Sequence, residues 1–176
     1  MTIQPPAAGH QPPAWAAGVA DGVHVAGIRD VVYVPDNPLS FVLREFEQRL
    51  RDVRLVLATR EEEAFGIAAG LYLGGRRPSV MLQSSGLGNS LNALTTLIVP
   101  YRIPMLIVVS MRGDEGEWNA AQGPMGRAVA PILDAIGIPH VTAQPSVGDT
   151  VRASAAAAFE SKIPHAVLLP RRLTTS

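Results

Sequence analysis

The chain has 176 residues, with 15 basic and 15 acidic side chains, a formal net charge of +0 and no cysteine. That length suits one domain with a substantial core, and the even charge argues against nucleic acid or an anionic membrane surface as a partner. Without cysteine there are no disulfides, thiolate metal ligands or cysteine nucleophiles.

Residues 1–13 are rich in Pro, Ala, Gln and Gly, a composition that builds no packed core, so a disordered tail is expected there and a single domain over 14–176. The tail also lacks the basic and apolar regions of a secretory leader. The longest apolar run, 103–109, is too short to cross a bilayer. A cytoplasmic protein is the expectation. Hydrophobic periodicity then predicts a helix over about 14–27, a strand over 30–34, a helix over 38–50 and a short buried strand over 54–58. An acid-led helix follows to about Leu73, then a strand over 78–83, a glycine-containing turn and a helix over 89–99. The remainder reads as a strand over 104–110, a long loop, a helix over 125–136, a short strand over 139–142, a helix over 147–162 and a strand over 165–169. Strict alternation of strand and helix means an α/β fold in three layers, a mostly parallel sheet with helices on both faces. Ligands in such sheets bind at the carboxyl ends of the strands. That edge should carry the loops 35–38, 59–62, 84–89 and 111–124.

Three acids, Glu61, Glu62 and Glu63, stand where a strand turns into a helix. Thr59 and Glu62 form T-x-x-E, a capping box in which each side chain satisfies the other's backbone N–H, and acids there complement the helix dipole. Gly66 and Gly70 lie one turn apart on this helix, each costing roughly 1 kcal/mol against alanine, and close approach by another helix would offset that cost. In Gln83-Ser84-Ser85-Gly86-Leu87-Gly88-Asn89 the two glycines allow a tight turn with N–H groups free for a ligand. The dinucleotide motif G-x-G-x-x-G fails, because Leu91 occupies its third glycine position. The nucleophile motif G-x-S-x-G is absent, and His140 and His165 fall at strand starts, the wrong edge. Arg112, just beyond a buried strand, suits an anionic substrate group; the alternative is a salt bridge to Asp114, Glu115 or Glu117. No regular metal pattern occurs, and no metal is expected on this chain alone.

Four segments in order carry a resemblance: Val34-Pro35-Asp36-Asn37-Pro38-Leu39, Thr59-Arg60-Glu61-Glu62-Glu63-Ala64, the stretch from Gln83 to Asn92, and Arg112-Gly113 with Pro124-Met125-Gly126. Together they resemble the pyrimidine-binding (PYR) domain of thiamine-diphosphate enzymes, which has a flavodoxin-like fold. More narrowly they look like the alpha subunits of sulfopyruvate decarboxylases and the matching half of phosphonopyruvate decarboxylases. The resemblance implies that Glu62 bonds N1′ of the aminopyrimidine and activates the cofactor. It also implies that Ser85, Gly86, Leu87 and Gly88 line the cofactor, and that Asp36, Asn37 and Arg112 face a small anionic 2-keto acid. The chain departs from related decarboxylases at Asn119-Ala120-Ala121-Gln122-Gly123, where an acid-and-histidine segment is usual. It also lacks the G-D-G motif with a downstream asparagine that holds diphosphate and Mg²⁺; Gly113-Asp114-Glu115-Gly116 is not that motif. The expectation is therefore a separate diphosphate-binding (PP) beta subunit that brings Mg²⁺, in an assembly of at least two PYR and two PP chains. A carboligase subunit and a catalytically silent flavodoxin-like module are the alternatives.

Overall fold

A computed structural model describes residues 13–144 and 146–175; of the expected tail, only Pro13 falls among them. The chain runs α1 (Ala14–Val25), β1 (Asp30–Tyr33), α2 (Asn37–Gln48), β2 (Arg54–Leu57), α3 (Glu61–Leu73) and β3 (Pro78–Gln83). It continues through α4 (Ser84–Asn89), α5 (Leu91–Ala93), a π-turn (Leu94–Ile98), β4 (Leu106–Ser110) and a 3₁₀ turn (Ala120–Gln122). The last elements are α6 (Gly123–Ala135), β5 (His140–Thr142), α7 (Val147–Ser161), β6 (His165–Leu169) and α8 (Arg171–Thr174). Six strands form one sheet in the order β2-β1-β3-β4-β6-β5, every pair parallel.

Parallel strands covered on both faces need apolar side chains on both, and β3 and β4 supply them with Val80, Met81, Leu82 and the run Leu106 to Val109, all fully buried. Alternate residues feed two cores. Val31, Met81 and Val108 join α1, α2 and α7 on one face, whereas Val32, Val80, Leu82, Ile107 and Val109 join α3, the α4 segment and α6 on the other. The expected three layers are present.

Two strand and helix expectations need correction. β2 is an edge strand, not a buried one, because one side has no neighbour: Arg54 and Leu57 are exposed. The helix after β3 starts at Ser84 instead of Asn89, so the glycine segment is itself helical, broken at Ser90 (φ −97°, ψ 5°). At the opposite edge of the sheet Asp30, fully buried, is held between Arg54 Nη2 at 2.6 Å and Arg76 Nε at 2.5 Å, which locks the starts of β1, β2 and β3.

The close helix contact expected at Gly66 and Gly70 occurs elsewhere. A Cβ on Gly22 of α1 would lie 2.6 Å from the carbonyl of Gly148 on α7 and 2.9 Å from Val151, whereas nothing lies within 4 Å of one on Gly66 or Gly70. Gly22→Leu should therefore overpack the α1/α7 contact and cost about 1–3 kcal/mol. Gly66→Ala should stabilise the isolated chain by about 0.5–1 kcal/mol through helix propensity. Thermal denaturation of the two variants should show opposite shifts in Tm.

Candidate functional site

β1 and β3 are neighbours, yet α2 leaves β1 toward one face and α4 leaves β3 toward the other. A crevice opens between such strands at their carboxyl ends. The loops after β1, β2, β3 and β4 meet at this edge, as the sequence leads one to expect, and a fifth segment, Pro170-Arg171 after β6, joins them.

The three acids point three ways. Helix α3 takes Arg60 as its N-cap, not Thr59. The capping pair is consequently Thr59 with Glu63, correcting the expected pairing with Glu62: Thr59 donates its N–H (2.8 Å) and its hydroxyl (2.6 Å) to Glu63 Oε2. Those bonds, the hydroxyl's first, hold the Glu63 carboxyl below the usual range. Glu62 is 46% exposed and its nearest cation is Arg60, at 3.5 Å. Glu61 lies against the glycine segment, where Asn89 Nδ2 donates to its Oε2 at 3.0 Å. Its Cγ is 2.5 Å from where a Cβ on Gly86 would be. Glycine at 86 is thus required by the seat of Glu61. Met125 packs on Gly88, its Sδ 2.7 Å from where an added Cβ would stand. The expected free turn of N–H groups is replaced by this side-chain packing and by the first helical turn of α4. Leu87 turns its side chain into the core, and Ser85 stays half-buried at the edge.

Across the crevice, Asp36 occupies the N-cap of α2 without making a cap bond. Its Oδ2 instead accepts from the Ser110 hydroxyl at 2.5 Å. Because β3 lies between β1 and β4, this bond spans the end of β3. Asn37 is exposed beside it. Arg112 gives Nε to Glu117 at 3.0 Å and brings Nη1 to 4.0 Å from Asp36. Of the two roles open to Arg112, the ion pair with Glu117 is formed, and the Nη ends have no hydrogen bond among the described residues. Glu117, only 5% exposed, also accepts from the backbone of Asn119 (2.9 Å) and Gly113 (3.2 Å) and lies 3.5 Å from Arg171 Nη1. The Arg112 guanidinium first, then these amides, hold its carboxyl down to about 2, and Glu117 in return raises Arg112. Gly113 (φ +70°) and Gly126 complete the clamp, since a Cβ on either would strike the backbone of the other segment.

Sequence reasoning missed Ser110 and Arg171 as parts of this edge; Asn89 and Glu117 lie in loops it placed there, Glu117 as one of three acids open to Arg112. Ser110 ends a buried strand and Arg171 follows the last one, positions that the carboxyl-edge rule could have marked. Nothing in the sequence singled out Asn89 as the partner of Glu61, or Glu117 from the two acids beside it.

An open α/β sheet with an acid-led helix seated on a glycine segment, beside a crevice at its carboxyl edge, defines a domain that takes a cofactor or substrate at the strand ends. Residues 15–128 match the family described as thiamine pyrophosphate enzyme, N-terminal TPP binding domain, and the chain belongs to that family. It is similar to the sulfopyruvate decarboxylase subunit alpha of Methanothermobacter thermautotrophicus, 46% identical over 121 residues that cover 69% of this chain and 73% of that one. It is also similar to the phosphonopyruvate decarboxylase of Streptomyces viridochromogenes, 32% identical over 163 residues, which span 89% of this chain but only 40% of that protein. Among solved structures, the 2-oxoglutarate:ferredoxin oxidoreductase of Magnetococcus marinus shares the fold, with a TM-score of 0.67 at 14% identity, over 88% of this chain and 28% of that one.

The residues at this edge fit the pyrimidine end of thiamine diphosphate. Glu61 keeps Oε1 without a hydrogen bond among the described residues, and Gln83, at the end of β3, has a buried Oε1 with no partner. Among the described residues no three His, Asp or Glu side chains gather as a metal site.

The Glu117 clamp has a pH signature. Its carboxyl is lowered in the folded chain from 4.5 to about 2, so its stabilisation is complete above about pH 4.5 and fades as pH falls toward 2. Chemical denaturation should show wild type more stable than Glu117→Gln at neutral pH, with the gap closing across that window. A gap independent of pH would mean that the carboxylate charge does not hold the loop.

Proposed function

We propose that this chain is the alpha, pyrimidine-binding subunit of a two-component thiamine-diphosphate-dependent decarboxylase for a small anionic 2-keto acid, sulfopyruvate or phosphonopyruvate. The observation that carries the reading is the seat of Glu61: a carboxylate fixed by Asn89 and Gly86 at the carboxyl edge, with one oxygen unengaged. The similarity to alpha subunits and to the decarboxylases named above supports the substrate class.

When bound, thiamine diphosphate supplies the nucleophilic carbon and the electron sink that let CO₂ leave a 2-keto acid. This chain's part is to hold a proton at N1′ of the pyrimidine. The sequence pattern assigns that task to Glu62; the contacts favour Glu61, because Glu61 lies against Gly86 and Asn89 whereas Glu62 is half in solvent beside Arg60. The backbone of Ser85, Gly86, Leu87 and Gly88 backs the ring. Arg112, its Nε committed to Glu117, offers its Nη pair to the sulfonate or phosphonate, for which a planar fork is suited. Asp36 and Asn37 border the same space, Asp36 holding Ser110 and Arg112 in place.

A PP-domain beta subunit carrying G-D-G and a downstream asparagine would bring the diphosphate and Mg²⁺, in an assembly of at least two chains of each kind. Three observations support a partner on this side of the molecule. Gly66 and Gly70 face open space, Leu73 is exposed on the same helix, and Trp118 is 79% exposed on the clamped loop. The second reading, a carboligase subunit, is favoured by the lack of histidine in 119–123, a residue type suited to protonating the intermediate.

The test is to co-purify the chain with a PP-domain partner and measure CO₂ release from both keto acids with thiamine diphosphate and Mg²⁺. Release of CO₂ with an equal amount of free aldehyde is expected from at least one; CO₂ release in which the remaining fragment appears joined to a second keto acid, in place of the free aldehyde, would favour the second reading. In the active complex Glu61→Gln should cut turnover by about 10²-fold or more with Tm nearly unchanged, whereas Glu62→Gln should cost under about tenfold. The reverse order would return the role to Glu62.

A further inference from the structure

Two arginines and three acids meet at the crevice, and their charges do not balance. Arg112 gives Nε to Glu117 at 3.0 Å and brings Nη1 to 4.0 Å from Asp36. Arg171 sets Nη1 3.5 Å from the same Glu117 carboxylate, with its Nε on the Gly116 carbonyl at 2.9 Å and its backbone N–H on Asp114 at 3.3 Å. Two formal positive charges thus face three negative ones, a sum of −1. The side chains of Glu117, Asp36, Arg112 and Arg171 are only 5%, 6%, 17% and 18% exposed, so their charges act with little screening. Arg127 and Arg172, the nearest other cations along the chain, are exposed and screened by solvent. Arg112 therefore offers a fork of donors at its Nη ends, with its charge already matched by Glu117.

We infer that Glu117 is a specificity-determining residue: by neutralising Arg112 it limits the anionic end of the substrate to a single charge, so that the site takes a sulfonate and rejects a doubly charged phosphonate. The inference rests on the decarboxylase reading, with Arg112 as the donor to that end. A sulfonate carries one charge spread over three oxygens, and it needs donors more than countercharge. A phosphonate near or above neutrality gains a second charge, as phosphate esters do. That second charge would lie near Asp36 and Glu117 as well as Arg112, with no buried cation left to match it. Its stronger hydration would also be lost on entry. Two ligands of nearly equal shape are separated in this way by leaving one of them with an unmatched charge.

The experiment uses the complex with the PP-domain partner and compares wild type with Glu117→Gln. Calorimetry gives binding of 3-sulfopropanoate and 3-phosphonopropanoate, unreactive anions of the two shapes, and CO₂ release gives kcat/KM for the two keto acids. At about pH 8 wild type should favour the sulfonate of each pair by about tenfold or more. Lowering the pH to about 6 returns a proton to the phosphonate, which should tighten 3-phosphonopropanoate several-fold and leave 3-sulfopropanoate unchanged. Glu117, lowered to about 2, and Arg112, raised, keep their charges across that window, and His24, His140 and His165 lie at the opposite edge of the sheet, so the change belongs to the ligand. Glu117→Gln removes one negative charge with little change of shape and should narrow the preference by about tenfold. A merely structural role would weaken both analogues together and leave their ratio unchanged. Should Glu117→Gln fail to fold, the wild-type pH series decides. An unchanged ratio in a folded Glu117→Gln complex, or wild type binding the phosphonate as tightly as the sulfonate at the higher pH, would overturn the inference alone. A wild-type complex that binds cofactor yet releases no CO₂ from either keto acid would overturn the decarboxylase reading and this inference with it.

Discussion

Everything at the working edge depends on one constraint: β1 and β3 lie side by side in a parallel sheet while the helices that follow them leave toward opposite faces. Parallel pairing sends every carboxyl end to one edge, and the reversal of direction there opens the crevice. Asp36 and Gln83 then follow adjacent strands to the same edge because β1 and β3 are paired. Ser110 reaches Asp36 because β4 flanks β3, and Arg171 reaches Glu117 because β6 flanks β4. Two cores of comparable extent, one per face, hold the sheet that fixes these positions.

The alternation of strand and helix was legible, and with it the layers, the parallel pairing and the four loops of the edge. Strand order was less so: β2 reads as buried because Leu55, Val56 and Leu57 are apolar, yet its place at the sheet edge leaves Leu57 exposed. The acidic triplet shows a sharper limit. In a run of identical residues only the helix start decides which way each points, and moving the N-cap from Thr59 to Arg60 rotates all three by about 100°. That single step pairs Glu63 with Thr59, lays Glu61 on Gly86 and turns Glu62 toward solvent. Neither Thr59 nor the acids announce the shift, since both Thr59/Glu62 and Thr59/Glu63 are plausible spacings.

The glycines teach the same lesson in packing terms. Gly66 and Gly70 carry the spacing of a close helix contact but meet nothing in this chain, whereas Gly22 and Gly148, in a pattern that drew no notice, make one. Gly86, Gly113 and Gly126 are glycine because a side chain or a backbone segment already fills the space of a Cβ. Arg112 was visible as an edge cation, but its partner had to be chosen from three nearby acids. The choice of Glu117 follows from the chain reversal at Gly113 and from the amides of Gly113 and Asn119, which converge on that carboxylate.

The resulting site is rich in positioning and incomplete in composition. Glu61 is fixed with one oxygen unengaged, Arg112 has Nε on Glu117 and no hydrogen bond at its Nη ends among the described residues, and α3 is open at Gly66 and Gly70. On this account the chain contributes the pyrimidine half of a shared cofactor site and the partner contributes the diphosphate half. Isothermal titration of thiamine diphosphate with Mg²⁺ into the chain alone, into the partner alone and into their mixture tests that claim most directly. Tight binding in the mixture, at least about tenfold stronger than to either chain alone, is the predicted result. Equally tight binding to this chain by itself would contradict it.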